Sequence, residues 1–239
     1  MKTILRLVTL AVLPTGWLPA QPAAPVVTPA EEAGFESIFD GQTLAGWDGD
    51  PRYWRVEDGC LVGEITPETI LKRNTFIIWR GGQPRDFELK LEYRISDRGN
   101  SGINYRSTQL TDAAWSLRGY QADLDGPDRY TGLNYEERGR TFLASRGQLV
   151  RLTPGQKPAI LGSLGEPDAL KAIVRVGDWN EYHLVIRGNT LIHILNGRTM
   201  SVVIDDDPAH ARLDGVIGVQ VHVGPPMKVE YRNIRLKTF

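Results

Sequence analysis

Apolar and polar side chains alternate at every second residue through most of this sequence, and that period limits what the chain can fold into. The clearest segment, 87–95, sets five apolar residues against four charged ones: Phe87, Leu89, Leu91, Tyr93 and Ile95 against Glu88, Lys90, Glu92 and Arg94. Such a segment forms a strand with one buried and one solvated face. Only 167–175 is patterned as a helix, and it is short. Many short strands with almost no helix predict an all-β, antiparallel sandwich or barrel.

Turn dipeptides support this prediction towards the C-terminus. Gly188-Asn189 and Asn196-Gly197 separate three consecutive apolar-rich segments. Both dipeptides suit two-residue primed turns, so they predict two adjacent hairpins. In the last strand the alternation changes phase at Arg232-Asn233. This change predicts a β-bulge at that point.

Composition excludes several classes of protein. The 239 residues carry 28 basic and 29 acidic side chains, a net charge of −1. This balance argues against a nucleic-acid partner held by a basic surface. Cys60 is the single cysteine, which excludes an intramolecular disulfide and a multi-cysteine zinc site.

The first residues follow the layout of a secretory signal. Lys2 and Arg6 precede an apolar stretch at 7–18, and Ala20 offers a small residue for cleavage. We therefore expect a signal peptide at 1–20, a proline-containing flexible linker at 21–33 and one domain at 34–239. The expected location is periplasmic or secreted. The apolar stretch is too short for a stable membrane span, and none is expected after cleavage.

Short polar side chains recur on one face of several predicted strands. They are amide-rich and mixed in charge, unlike the long charged chains of an ordinary solvated face: Asn100, Asn104, Arg106, Gln121, Asp123, Asn134, Glu136, Gln220 and His222. Glycines 102, 132 and 218 fall on the same face and leave room for a ligand. Such a set favours a concave binding site over a bland surface.

Two other groups of polar residues fit structural roles better. The register of the predicted hairpin places His193 on an apolar face, as a hydrogen-bonded core histidine. The run Asp205-Asp206-Asp207 lacks the spacing of a calcium loop and is predicted to be a solvated turn.

Several motifs together identify a family. The segment 39–47 reads Phe-Asp-Gly-Gln-Thr-Leu-Ala-Gly-Trp, and Asn100-Ser101-Gly102-Ile103, Gly218-Val219-Gln220 and Tyr231-Arg232-Asn233-Ile234 follow in order. In these motifs the chain resembles the 3-keto-disaccharide hydrolase domain family over about 35–239. The resemblance implies a concanavalin A-like jelly-roll sandwich with a concave carbohydrate site. Many members have Tyr-Glu-x-Gln where this chain has Tyr120-Gln121-Ala122-Asp123, which leaves the choice of substrate open.

The family implies cleavage of glycosides already oxidised at C3, by elimination and hydration. That route needs a base at C2, a donor to the enolate oxygen and an acid at the leaving oxygen. The candidates for base and acid are Glu136, Asp123 and His222. The candidate substrate-binding residues are Asn100, Asn104, Arg106, Gln121, Asn134, Gln220, Glu64, Arg140 and Tyr135. The partner is then a 3-keto-glycoside, which an oxidoreductase would have to supply.

Other interpretations stay open at this level. The sequence requires no cofactor, although a divalent metal held by Asp123, Glu136 and His222 is compatible with those ligand types. A non-catalytic, lectin-like carbohydrate-binding module would use the same fold. A conventional retaining or inverting glycosidase would need a carboxylate pair, for which Asp123 and Glu136 are candidates. A structural or envelope-interaction protein would have no pocket.

Overall fold

The computed structural model describes residues 32–239, which form seventeen strands and one short helix, α1 (Pro167–Lys171). The strands are β1 (Glu36–Ser37), β2 (Trp47–Asp48), β3 (Trp54–Glu57), β4 (Cys60–Ile65), β5 (Thr75–Trp79), β6 (Phe87–Ile95), β7 (Asn100–Gln109), β8 (Leu117–Asp125), β9 (Asn134–Glu137), β10 (Thr141–Ala144), β11 (Gln148–Leu152), β12 (Ala159–Ser163), β13 (Asn180–Arg187), β14 (Thr190–Leu195), β15 (Arg198–Asp205), β16 (Val216–Val221) and β17 (Met227–Thr238). The predicted signal peptide at 1–20 and all but the last two residues of the predicted linker lie outside the described residues. Within 32–239 no helix combines the length and the hydropathy of a membrane span.

The strands form two sheets. The first has ten strands in the order β12-β11-β15-β14-β13-β6-β17-β4-β3, with β1 paired to β17, and the second has seven in the order β10-β9-β8-β7-β16-β5-β2. All pairings are antiparallel except that of β11 with β15. The prediction of an all-β, antiparallel sandwich is therefore confirmed.

The local predictions in the C-terminal half are also confirmed. Strands β13, β14 and β15 form the two predicted hairpins, with Arg187 opposite Thr190 and Leu195 opposite Arg198. Asn196 has a φ of 47° in its turn, as a primed turn requires. In β17 the register with β6 shifts between Arg232 and Arg235, which is the predicted bulge.

The helix is shorter than predicted. It ends at Lys171 rather than at 175, because the backbone N–H groups of Ile173 and Val174 bond to carbonyls three residues back. That pattern is a tighter turn than an α-helix. Leu170 is the buried residue of the helix, so one side chain anchors it to the core.

Buried side chains from the two sheets form one main core that includes Tyr105, Tyr120 and Tyr182. His193 lies fully buried among these rings, as predicted, and its Nδ1 faces the carbonyl oxygen of Leu133 at 3.3 Å. A carbonyl only accepts, so Nδ1 is the protonated nitrogen and Nε2 accepts from the Tyr105 hydroxyl at 2.8 Å. Burial lowers the pKa of His193 to about 3, which keeps the ring neutral.

Candidate active site

The polar pocket lies on the face of the seven-stranded sheet that points away from the main core. In the ladder between β7 and β8, Gly102 is opposite Asp123 and Asn104 is opposite Gln121. Gln121 is in turn opposite Tyr135 on β9. Residues directly opposite each other project from the same face of a sheet, so these strands present one surface. They enclose a cavity of about 430 Å³ lined by Asn74, Asn100, Gln121, Asp123, Tyr130, Tyr135, Glu137, Arg138, Phe142 and His222. Ligand pockets for small molecules have this size.

A glycine in the floor of the pocket leaves room for an amide side chain. A Cβ atom added at Gly102 would lie 2.4 Å from Cδ of Gln121, a distance that real Cβ atoms do not show. Gln121 therefore lies across β7 at the position where any other residue would project. This placement brings its amide to Asp123, to which Gln121 donates a hydrogen bond from Nε2.

Two amides connect the two carboxyl groups of the pocket. Gln220 donates from Nε2 to Oε1 of Gln121 at 3.1 Å and, at 3.4 Å, to Oε2 of Glu137. Because Oε1 of Gln121 accepts from Gln220, its NH₂ group must face Asp123. Gln220 is fully buried and so fixes this orientation from below.

Asp123 is held as a neutral acid. Burial raises its pKa to about 8, with the charges of Asp125 and Glu137 acting in the same direction against the hydrogen bond from Gln121. At neutral pH most Asp123 side chains therefore carry a proton. Since one oxygen accepts from Gln121, the other can present an O–H group.

Glu137 lies in a more polar environment. Burial raises its pKa, while a hydrogen bond from Asn74 at 3.2 Å and the nearby His222 oppose that rise. Both carboxylate oxygens accept hydrogen bonds, one from Asn74 and one from Gln220. Burial is the largest of these causes, so the net shift of the Glu137 pKa is upward, and the hydrogen bonds to its carboxylate limit that rise.

Three further side chains at the pocket have polar atoms without a hydrogen-bond partner in the described part of the chain. His222 donates from Nδ1 to the carbonyl oxygen of Val223 at 2.6 Å, which leaves its Nε2 available. The side-chain amide of Asn100 and the hydroxyl of Tyr135 are likewise open to a ligand. Burial raises the pKa of the Tyr135 hydroxyl, and the nearby Glu137 acts in the same direction.

Aromatic rings form one wall of the pocket. Phe142 on β10 is opposite Tyr135, and the two rings lie edge to face with their centroids 5.3 Å apart. The ring of Tyr130 also lies beside Phe142, with the two centroids 6.2 Å apart. The loop that carries Tyr130 is held by Asp125, whose Oδ1 accepts the backbone N–H of Tyr130 at 2.8 Å. This hydrogen bond holds the backbone that carries Tyr130.

Five predicted site residues line the pocket and two lie beneath it. The lining ones are Asn100, Gln121, Asp123, Tyr135 and His222. Gln220 and Asn104 are fully buried on the same face. Neither polar atom of the Asn104 amide has a partner in 32–239, an uncommon state for a buried amide.

The predicted orientation of Asn134 and Glu136 is wrong. On β9, Tyr135 and Glu137 face the pocket, so the residues between and before them face the interior. There Glu136 pairs with Arg140 at 2.5 Å, and Arg140 also binds Asp205 at 2.6 Å. Asn134 donates to the hydroxyl of Tyr105 at 3.2 Å, within the core.

Arg106, Arg140 and Glu64 do not line the pocket either. Arg106 sits on a β-bulge with a φ of 44°, and its guanidinium donates to the carbonyl oxygens of Arg85 and Gly188. Arg140 is held in the ion pairs just described. Glu64 lies on β4 of the other sheet and pairs with Arg55 at 2.7 Å.

Five residues that line the pocket were not predicted from the sequence. Glu137 is the main one, together with Asn74, Tyr130, Arg138 and Phe142. The predicted solvated turn at Asp205-Asp206-Asp207 is wrong in part, because the side chain of Asp205 is buried and paired with Arg140.

The proposed metal ligands do not come together. Asp123 and His222 line the pocket, but Glu136 faces the interior. Residues 32–239 contain no group of three or more His, Cys, Asp or Glu side chains arranged to hold a metal ion.

Comparisons with known proteins find a similar curated sequence and several solved structures with a similar fold. A curated 3-keto-disaccharide hydrolase of Bacteroides thetaiotaomicron is 34% identical over 182 residues, which cover 69% of this chain and 57% of that protein. Among solved structures, a provisionally assigned glycosyl hydrolase from Parabacteroides distasonis aligns over 90% of this chain and 98% of its own, with a TM-score of 0.58 and 21% identity. The carbohydrate-binding module CBM66 of Bacillus subtilis aligns over 81% and 96%, with a TM-score of 0.52 and 15% identity.

These structural similarities agree with the concanavalin A-like jelly roll that the sequence resemblance implied. The match to a family model is more specific, since the 3-keto-alpha-glucoside-1,2-lyase-like domain matches residues 34–237. The chain belongs to the 3-keto-alpha-glucoside-1,2-lyase-like domain family.

Proposed function

We propose that this domain is a hydrolase that cleaves the glycosidic bond of glycosides carrying a ketone at C3. The observation that carries the proposal is the pair of unlike carboxyl groups at one pocket, a neutral Asp123 and a hydrogen-bonded Glu137. Two carboxyl groups whose environments differ in this way can act as acid and base. Family membership and the named activity of the Bacteroides thetaiotaomicron relative support the same reaction class.

The reaction proceeds by elimination followed by hydration. The C3 ketone acidifies the proton on C2, and a base removes it to give an enolate. The enolate collapses to restore the ketone and form a C1–C2 double bond, while the C1–O bond breaks and the leaving oxygen takes a proton from an acid. Water then adds at C1 and a proton returns to C2, so the net change is hydrolysis. Each proton transfer needs a group of suitable pKa within hydrogen-bond reach.

Different residues of the pocket serve the different steps of this reaction. Glu137 is the base at C2, because it is the carboxyl group whose two oxygens are held by amide donors. Asp123 is the acid at the leaving oxygen, because it carries the proton at neutral pH. The open groups of Asn100, Tyr135 and His222 bind the sugar hydroxyls and the enolate oxygen.

The setting of the reaction is part of the proposal. The substrate must come from an oxidoreductase that converts a C3 hydroxyl to a ketone. The signal-like sequence at 1–20 supports export to the periplasm or the medium. Cell fractionation and N-terminal sequencing of the mature protein test this: cytoplasmic protein that begins at Met1 would refute export.

A conventional glycosidase is the second candidate, since a pair of carboxyl groups in unlike environments also serves that mechanism. A glycosidase of that kind needs no ketone, whereas elimination does. The discriminating experiment offers methyl glucoside and methyl 3-keto-glucoside to the full chain, with and without a chelator. We expect release of methanol from the keto sugar alone. Equal cleavage of both would support the glycosidase, and binding without cleavage would support a carbohydrate-binding module.

Variants locate the reaction in the pocket. Glu137→Gln and Asp123→Asn keep the side-chain size and remove the acid–base function, so each should lower kcat by about 10²- to 10⁴-fold. Glu136→Gln is the matched control, because it makes the same chemical change one residue away on the interior face. Equal losses in all three variants would refute this placement of the site.

A further inference from the structure

A second groove adjoins the pocket across the rings of Tyr130 and Phe142, which line both. Its volume is about 530 Å³, and it opens towards β12 at the edge of the ten-stranded sheet. Polar groups of Arg129, Gln148 and Ser163 line it beside the side chain of Ile160.

The apolar part of this groove is unusually exposed. Phe142 is 56% exposed and Ile160 is 64% exposed, although both are large apolar residues in regular strands. Adjacent exposed apolar groups with polar groups around them mark binding surfaces. Aromatic and aliphatic walls with a few polar groups are also the composition of small-molecule sites.

The groove is rigid where it meets the pocket. Arg146 pairs with Asp128 at 2.6 Å and donates to its carbonyl oxygen at 3.1 Å. This contact and the hydrogen bonds to Asp125 hold the loop that carries Tyr130. A preformed surface binds a ligand at lower entropic cost.

The pocket has another flank, and it is different in character. There a groove of about 540 Å³ is lined by Lys72, Arg73, Asp112 and Arg138, with no aromatic ring. Arg138 and Asp112 form an ion pair at 2.8 Å. That flank suits a charged group rather than the face of a neutral sugar ring.

We propose that the groove beyond Tyr130 and Phe142 is a second subsite, which binds the aglycone of the substrate as a neutral sugar ring. The inference rests on the proposed function, because it takes the main pocket as the site of the keto sugar. A glycoside bond lying over the Phe142 ring would place one ring in each cavity. The enzyme would then favour disaccharides over glycosides with a small aglycone.

The test compares two substrates in matched variants. Ile160→Ala removes an apolar wall of the groove and does not touch the main pocket. Leu161→Ala is the control, since Leu161 is the next residue, is 48% exposed and does not line the groove. For each variant, kcat/KM is measured with a 3-keto-disaccharide and with methyl 3-keto-glucoside, and the ratio of the two is compared with that of the wild type.

We expect Ile160→Ala to lower this ratio by about 5- to 10-fold, through KM, and to leave methyl 3-keto-glucoside unaffected. Leu161→Ala should leave the ratio unchanged. Arg73→Ala, which alters the groove on the other flank, is measured in the same way. An unchanged ratio in Ile160→Ala, or a fall of the ratio in Arg73→Ala instead, would overturn the proposal. If the wild type cleaves neither substrate, the proposed function fails on its own, and calorimetry with the same two sugars and variants still tests the subsite: an equal affinity loss for both sugars, or none, overturns it.

Discussion

Asp123→Asn should stabilise the protein, and the gain should grow with pH. The pKa of Asp123 is about 8 in the folded chain against 3.8 ordinarily, because burial disfavours its charge. Between these values the folded state binds a proton that the unfolded state has released, so stability falls as the pH rises. At about 1.4 kcal/mol per pH unit, the loss between pH 5 and pH 8 is about 4 kcal/mol. Asparagine does not titrate, so the variant does not undergo this loss of stability.

Urea denaturation of the wild type and of Asp123→Asn at pH 5, 7 and 9 measures this effect. Groups that do not interact with Asp123 contribute equally to both proteins, so the difference in unfolding free energy reports Asp123 together with the two carboxyl groups that act on it, Asp125 and Glu137. We expect that difference to shift in favour of the variant by several kcal/mol from pH 5 to pH 9, while cleavage of the keto sugar is lost. A difference that stays constant over this range would mean that Asp123 is ionised in the folded state, and the assignment of the acid would then be wrong.

Three other substitutions have distinct expected outcomes. Glu136→Gln should lower the unfolding free energy by about 3 kcal/mol, because it breaks a buried pair with Arg140, yet leave KM for the keto sugar unchanged, as denaturation and kinetics will show. Asn104→Leu should raise the unfolding free energy by about 1–3 kcal/mol, since it removes a buried amide that has no partner in 32–239; destabilisation would reveal a partner of that amide. Gly102→Ala should affect catalysis more than folding: because its Cβ displaces Gln121, kcat should fall by a larger factor than the folding equilibrium constant. A normal kcat would show that the position of this amide is not critical.

The strands that carry the pocket were predictable because their alternation is unambiguous. In β7, β8 and β16, apolar residues mark the core face, so Asn100, Gln121, Asp123 and Gln220 had to share the other face. The hairpins of the ten-stranded sheet were equally predictable, since their dipeptides allow only a few turn types.

Strand β9 shows where this reasoning fails. It has only four residues, and two adjacent glutamates give no apolar pattern to choose between them. Glu137, rather than Glu136, faces the pocket because the register of β9 places Glu137 opposite Gly119 on β8. The local sequence does not encode this pairing. A one-residue change of phase moves every side chain of a strand to the other face.

The prediction that Arg106 binds the substrate is wrong for a related reason. It follows the alternation of β7, but a bulge between Tyr105 and Thr108 turns its side chain away from the pocket. Its guanidinium donates hydrogen bonds to backbone carbonyl oxygens rather than to a ligand. Bulges of this kind depend on the partner strand and give no clear signal in a single sequence.

The most direct test of the proposed reaction is cleavage of methyl 3-keto-glucoside in D₂O, with the product examined by NMR at early times. Elimination and hydration remove the hydrogen from C2 and return one from solvent. We therefore predict deuterium at C2 of the released keto sugar, above the exchange seen when that sugar is incubated alone. Cleavage with hydrogen retained at C2 would contradict it, because the bond would then have broken without formation of an enolate.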